Sequence, residues 1–430
     1  MLLRFTVENV ASFREAAELS FVSTARNDEP EHRFRSRHAP HGVLPVVGVW
    51  GANASGKTNL FWAFGEFVSH VATSFAHRKP NDPVPWLPWR LDRSPGARPS
   101  MMSVDLVTAG DVRLHYGFRF RAEGYDEEWL YRWDGARRSV LFHRNHAEPE
   151  AWYFPGLKGQ KNQIKDATRR NSLFLSAAAQ HNHPELTSVW EAIVSSYTAE
   201  RLIELHSHPL FAPDDPILAA DFRPTLLKFL DAADTGIVDV RVQPVETVGG
   251  PREALEKIFT PEYLETIRGA APSGHVEVRF VHRGQAGEDF TLLPHMESRG
   301  TQIMLARLAD LVAVLRSGRL LLIDELDTSL HPDLCAALVE LFTNPATNPN
   351  GAQLLFSTHD RGLLRSLRTD EVLLVDKDRT GCSHVAAASD YRGVRTRDDL
   401  RRAHEEGRLR GVPVLGPLGQ IMSFELGRGR

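Results

Sequence analysis

Residues Gly51–Thr58 read GANASGKT and fit the spacing G-x-x-x-x-G-K-[ST]. Each residue type in that spacing has a task. Glycines at Gly51 and Gly56 let the backbone curl so that its N–H groups surround a phosphate, and a helix starting there adds the positive end of its dipole. Lys57 is then placed to reach the β- and γ-phosphates of a nucleotide, and Thr58 to offer an oxygen to Mg²⁺. The flanks suit the motif. VLPVVGVW (Val43–Trp50) is a short β-branched run of the kind buried in a sheet, and the apolar stretch Leu60–Phe75 lacks proline and predicts a helix.

A second group lies far downstream. LLLIDELDTSLHP (Leu320–Pro332) is an apolar strand ending in Asp324 and Glu325. Alone these are two solvated acids at a strand end. Beside a phosphate loop, the strand-end acid orients Mg²⁺ and the next one polarises the attacking water, so Asp324 is assigned to the metal and Glu325 to general-base work. LLFSTHD places His359 just past a third apolar run; a single histidine is ordinarily structural or solvent-facing, but the order strand, helix, strand, histidine favours a γ-phosphate contact. MESRGTQ (Met296–Gln302) precedes an amphipathic stretch. Its Ser298 and Gly300 fit a plain helix cap, or a phosphate-binding loop completing the site of a second copy, and its position before the acidic strand favours the latter.

These residues need a scaffold of matching size. The chain has 430 residues, 42% hydrophobic and 25% charged, which excludes a lone small module and wholesale disorder. With 51 basic and 55 acidic residues, the net charge of −4 excludes a polycation, leaving room for a local basic face. Cys335 and Cys382, without a CxxC pair, give no disulfide framework and no expected structural zinc site, as in a reducing compartment. The N-terminus alternates like a strand instead of forming a signal peptide, and no run approaches a bilayer span, so a cytoplasmic protein with no membrane contact is expected.

Leu3–Glu8 and Ala17–Val22 predict a hairpin, Asn27–Gly42 a loop, and Ser100–Arg144 an antiparallel meander. Helical spacing in Asn171–Tyr197 breaks near Pro184 and returns at Arg223–Ala233. From Arg319 to Val375 strand and helix alternate, which implies parallel strands with crossover helices. The expected fold is α/β, with a mixed central sheet, an antiparallel β lobe and an inserted helical lobe. The expected division is residues 1–185 and 275–391 for the two parts of the main domain, 186–274 for the inserted lobe and 392–430 for a basic tail.

Taken in order, GANASGKT, ESRGTQ, LLLIDE, LDTSLHP and STHD resemble the Walker A, signature, Walker B, D-loop and H-loop series of ABC-type P-loop ATPases, in their soluble RecF and SMC branch. The opening LLRFTVENVASFRE resembles that branch's first strand and N-x-x-S-F turn. GANASGKTN, NSLFLSAAAQHN and EEGRLRGVP are similar to bacterial AAA-type ATP-binding proteins of abortive-infection and anti-phage loci, relatives of the ATPase half of OLD-type nucleases. The resemblance implies that Gly51, Ala52, Asn53, Ala54, Ser55, Gly56, Lys57, Thr58 and Asn59 line ATP, with Lys57, Glu325 and His359 catalytic and Thr58 and Asp324 on Mg²⁺. It further implies that Ser298 and Gly300 reach the γ-phosphate of a partner copy, that Asp327 sits in the dimer-facing D-loop, and that Gln180 is the Q-loop glutamine sensing Mg²⁺. Two departures stand out. Arg299 replaces the first glycine of the transporter signature LSGGQ, and 267 positions of chain separate Lys57 from Asp324, which requires inserted structure.

The implied activity is ATP hydrolysis in an ATP-sandwich homodimer or higher assembly. Fewer than about 40 residues follow Tyr391, too few for a TOPRIM nuclease domain. A defence role would then need an effector in trans, a nuclease or toxin. Two alternatives stay open: a RecF-like ATPase that clamps DNA, for which His32–His41, Arg169, Arg170 and Arg392–Arg410 are candidate contacts, and a non-hydrolysing ATP-gated scaffold.

Overall fold

The computed structural model describes residues 1–24, 33–199, 210–211, 218–244 and 276–409, apart from positions 93, 95, 136, 149, 221, 395 and 396. The chain forms two compact units. One comprises Met1–Ala199, Leu315–Thr328 and Cys335–Arg430, the other Glu200–Val314 and Ser329–Leu334.

In the first unit, the apolar runs become the inner strands of a six-stranded sheet, in the order Tyr197–Ala199, Leu320–Ile323, Gln353–Ser357, Val46–Gly51, Val372–Lys377, Ser383–Ala387. The first five are parallel and the last is antiparallel. Every residue of Val46–Gly51, Leu320–Ile323 and Gln353–Ser357 is buried, as strands covered on both faces require. The pairings Ile323 with Phe356, Ser357 with Val49 and Val375 with Gly51 bring the carboxyl ends of these strands to one rim, where open parallel sheets bind ligands.

A seven-stranded antiparallel sheet packs beside it, built from Ser100–Val107, Arg113–Arg121, Gly124–Asp134, Arg137–Asn145 and Trp152–Tyr153, with Leu2–Glu8 and Ala17–Ser20 at its other end. The helix Lys57–Thr73 joins the core formed by the two sheets. Its Phe64 meets Phe5 edge-on at 5.0 Å between ring centroids, and its Phe67 stacks on Phe118 at 5.5 Å. Beneath this lies an ion pair with both side chains fully buried, Arg144 to Glu128 at 3.0 Å. Glu128 also accepts hydrogen bonds from Tyr116 Oη (2.9 Å) and from the backbone N–H groups of Phe174 (2.7 Å) and Leu175 (3.0 Å), which fixes the start of the helix Phe174–Gln180 to the sheet.

The second unit holds the antiparallel strands Ile237–Pro244, Val276–Arg283 and Asp289–Leu292, with Leu210–Phe211 paired at their edge. Leu226 and Leu230 of the helix Arg223–Ala232 pack there with Met304, Leu305, Leu308 and Val312 of the helix Arg299–Ser317. Within the expected inserted lobe the described residues carry the helix Arg223–Ala232 and also a strand, because Ile237–Pro244 alternates and pairs with Val276–Arg283. The boundaries move as well. The helix Pro184–Val194 and the strand Tyr197–Ala199 belong to the first unit, and 275–314 to the second. Residues 200–209, 212–217 and 245–275 of the expected lobe, and 410–430 of the expected tail, lie outside the described residues. Part of the expected loop 27–42 is a small hairpin, Phe34–Ser36 with Ala39–Val43. Among the described residues no helix is long and apolar enough to cross a membrane.

Candidate nucleotide site

The phosphate loop leaves the sheet at Gly51 and enters the helix at Lys57. Gly51 is required by close packing: a Cβ there would sit 2.5 Å from Ser55 Oγ and against the carbonyl of Val375. Gly56 is required twice over, by its φ of +114° and by Ser383 and Ser12, whose hydroxyls crowd the same space. Ser383 Oγ donates to Ser55 O at 2.6 Å, Ser383 N–H donates to Ser12 O at 2.8 Å, and Asn59 Nδ2 donates to Ser12 Oγ at 2.8 Å. Two segments distant in sequence, the N-x-x-S-F turn and the last hairpin of the sheet, thus brace the loop from behind.

Asn53, Ala54 and Thr58 are exposed, and Ala52 is half-buried. No side chain caps the helix Lys57–Thr73, so its first N–H groups stay open to an anion. Ser55 Oγ is buried without a hydrogen-bond partner among the described residues. The donor set therefore fits a nucleotide phosphate. Lys57 Nζ donates to the loop's own carbonyls at Gly51 (2.9 Å) and Ala52 (3.3 Å), and lies 3.2 Å from His359 Nε2. Burial lowers the Lys57 pKa from its ordinary value, opposed by the charges of Asp324, Glu325 and Asp327.

Those acids are held by the neighbouring strand. Ser357 Oγ donates to Asp324 Oδ1 and accepts from the Glu325 backbone N–H at 2.8 Å. Glu325 has a left-handed φ of +55°, which breaks the strand direction after Asp324, and its exposed carboxylate accepts from Thr328 Oγ1 at 3.1 Å. Asp327 accepts from Thr358 Oγ1 at 2.7 Å and from the His359 N–H at 3.3 Å, so it ties the turn after the acids to the histidine. Trp50, packed edge-on against Phe356 at 5.7 Å, donates its indole N–H to Asp360 O at 3.0 Å and fixes the chain just past His359. For Mg²⁺ the residues also fit: Thr58 offers an exposed hydroxyl, and Asp324 keeps oxygen capacity beyond its one bond to Ser357.

The loop, Asp324, Glu325, Asp327 and His359 thus converge at one rim. Gln180 does not join them. It is exposed at the end of the helix Phe174–Gln180; the adjacent His181 packs on Phe75 at 5.4 Å, beyond the far end of the helix that begins at Lys57. Sixteen helical steps separate those ends, on the order of 24 Å. Ser298 and Gly300 lie in the second unit. Ser298 Oγ accepts from the Thr301 N–H at 3.1 Å, a helix cap, and a Cβ on Gly300 would sit 2.9 Å from Ser329 O. Sequence reasoning assigned no role to Ser357, Thr358, Ser12 or Ser383. The N-x-x-S-F turn was the one available signal, and it marks Ser12.

No curated protein matches the chain. Among solved structures, similarity extends to the SMC head domain from Thermotoga maritima (12% identity, 90% of this chain and 98% of that one, TM-score 0.35). It extends also to a Pyrococcus furiosus Smc head with an extended coiled coil bound to the C-terminal domain of ScpA (14%, 95% and 99%, 0.38). A third is the recombination mediator RecF with ATP (12%, 90% and 99%, 0.36). Likeness at these scores carries no argument about function. A family model does match, over residues 46–365, from the strand before the phosphate loop to just past His359, under the description "AAA domain, putative AbiEii toxin, Type IV TA system". The chain belongs to that family, and is a P-loop ATPase-type protein within it.

Proposed function

We propose that the chain binds MgATP at Gly51–Asn59 and hydrolyses it, and that two copies close around two ATP molecules to control an effector supplied in trans, in bacterial abortive-infection or anti-phage defence. The convergence of Lys57 and His359 with Asp324 and Glu325 at one sheet rim supports the ATPase reading. Lys57 exchanges the carbonyls of Gly51 and Ala52 for the β- and γ-phosphates. Asp324 and Thr58 would hold Mg²⁺, which would supply positive charge against the phosphates. Glu325 accepts a proton from the attacking water as its oxygen bonds to the γ-phosphorus and the bond to the β-phosphate oxygen breaks. His359, fixed by Asp327 and Thr358, contacts the γ-phosphate. Ser298 and Gly300 complete the partner's site, and family membership supports the defence setting.

Native mass spectrometry of Glu325→Gln protein purified from its host with MgATP tests the assembly. A dimer or larger species carrying ATP and a second polypeptide is expected. An isolated monomer with ATP bound overturns the sandwich and the effector reading together.

A further inference from the structure

The hairpin that braces the phosphate loop carries donors for which the ATPase reading has no use. It joins the strands Val372–Lys377 and Ser383–Ala387, and places Asp378, Cys382 and His384 so that one ligand atom of each lies within 4.8 Å of the other two. We propose that these three residues form a binding site for a borderline divalent transition metal, Zn²⁺ in the first place, with an open fourth position.

Carboxylate, thiolate and imidazole together suit Zn²⁺ and exclude the hard cations Mg²⁺ and Ca²⁺, which take oxygen ligands. The carboxylate is already oriented. Asp378 Oδ1 accepts from Thr380 N–H (2.8 Å), Thr380 Oγ1 (2.6 Å) and Cys382 N–H (3.0 Å), which leaves Oδ2 turned toward His384 Nε2 at 3.0 Å. That separation is close to what two ligands on one tetrahedral Zn²⁺ at about 2.0–2.1 Å require. Cys382 is buried, and its Sγ donates a hydrogen bond to Ser383 O at 3.7 Å. On binding, the thiol loses its proton to solvent and the sulfur bonds to the metal. The side chains of Asp378 and His384 are 40% and 43% exposed, which provides entry. The expectation that two separated cysteines leave no zinc site counted cysteine pairs, whereas here a single thiol is joined by other donors in D-x-x-x-C-x-H spacing. A Zn²⁺ at this point would stiffen the hairpin on either side of Ser383, whose hydroxyl holds Ser55 O.

Cobalt(II) titration of the full chain, without nucleotide, tests the site, because a thiolate on Co²⁺ gives an intense near-ultraviolet charge-transfer band and oxygen or nitrogen ligands alone do not. A saturable band that Zn²⁺ displaces is expected. It should vanish in Cys382→Ser, persist in Cys335→Ser, whose sulfur lies elsewhere beside Leu326 O, and need at least tenfold more Co²⁺ in His384→Ala. His384 is exposed enough that its loss leaves the fold intact, so this variant keeps the test independent of the folding of Cys382→Ser. Absence of the band, its survival in Cys382→Ser, or an unchanged titration in His384→Ala overturns the proposal.

Discussion

At the scale of single residues, Ser357 is the most informative. One hydroxyl binds both acids, donating to the Asp324 carboxylate and accepting from the Glu325 N–H. Hydrogen bonds to charged groups contribute about 1.5–3 kcal/mol. Ser357→Ala should therefore lower ATP turnover by roughly ten- to a hundredfold, with a smaller effect on ATP affinity, and Ser357→Thr, which keeps the hydroxyl, should recover much of the loss. Steady-state kinetics of the two variants check this; equal rates in both would remove Ser357 from the site. Lys57, Asp324, Glu325 and His359 were legible in the sequence because their side chains have distinctive chemistry at distinctive spacing. Ser357, Thr358 and Ser383 were not, since a serine or threonine at a strand end has no signature until the neighbouring strand is in place. Gln180 failed for a related reason: proximity in sequence to helical segments says nothing about which end of the helix Lys57–Thr73 they reach.

At the scale of elements, the junction between the antiparallel sheet and its helices rests on buried polar groups. His70 Nδ1 accepts from Tyr125 Oη at 2.7 Å, and Arg78 donates to the same oxygen at 2.8 Å. Burial, with Arg78 adding to it, pushes the His70 pKa down to about 3, whereas the unfolded value is about 6.5. Below pH 6.5 the unfolded chain binds a proton that the folded chain refuses. The stability associated with neutral His70 is thus complete above that pH and falls toward pH 3, by up to about 1.4 kcal/mol per pH unit. Urea unfolding at pH 7.5 and pH 5 should show a smaller loss on acidification in His70→Gln than in the wild type. The Arg144–Glu128 pair makes a separate prediction: Glu128→Gln strands a buried guanidinium and should destabilise the first unit by about 3–5 kcal/mol, read by the same unfolding experiment. The inner strands were legible from their unbroken apolar runs. The edge strands Tyr197–Ala199 and Ser383–Ala387 were not, because they are short, and pairing with a neighbour is what makes them strands.

At the scale of the whole molecule, the α/β architecture followed from the late alternation of strand and helix, but the second unit did not. Periodicity identified Arg223–Ala233, Val238–Val245 and Val276–His282 one by one, and local spacing does not show that the helix Arg223–Ala232 and the strands Ile237–Pro244 and Val276–Arg283 form one sheet-bearing body. Ser298 and Gly300 lie in that unit and the phosphate loop in the other, and the two-copy assembly is part of the proposal. That assembly has meaning only if the first unit binds and turns over ATP. The most direct test is to measure MgATP affinity and steady-state hydrolysis side by side for the wild type, Lys57→Ala and Glu325→Gln. Expected are hydrolysis in the wild type, loss of both binding and hydrolysis in Lys57→Ala, and, in Glu325→Gln, affinity within a few-fold of wild type with turnover reduced at least about a hundredfold. A wild-type chain that does not bind MgATP, or a Glu325→Gln variant that hydrolyses at the wild-type rate, would contradict the assignment of this site.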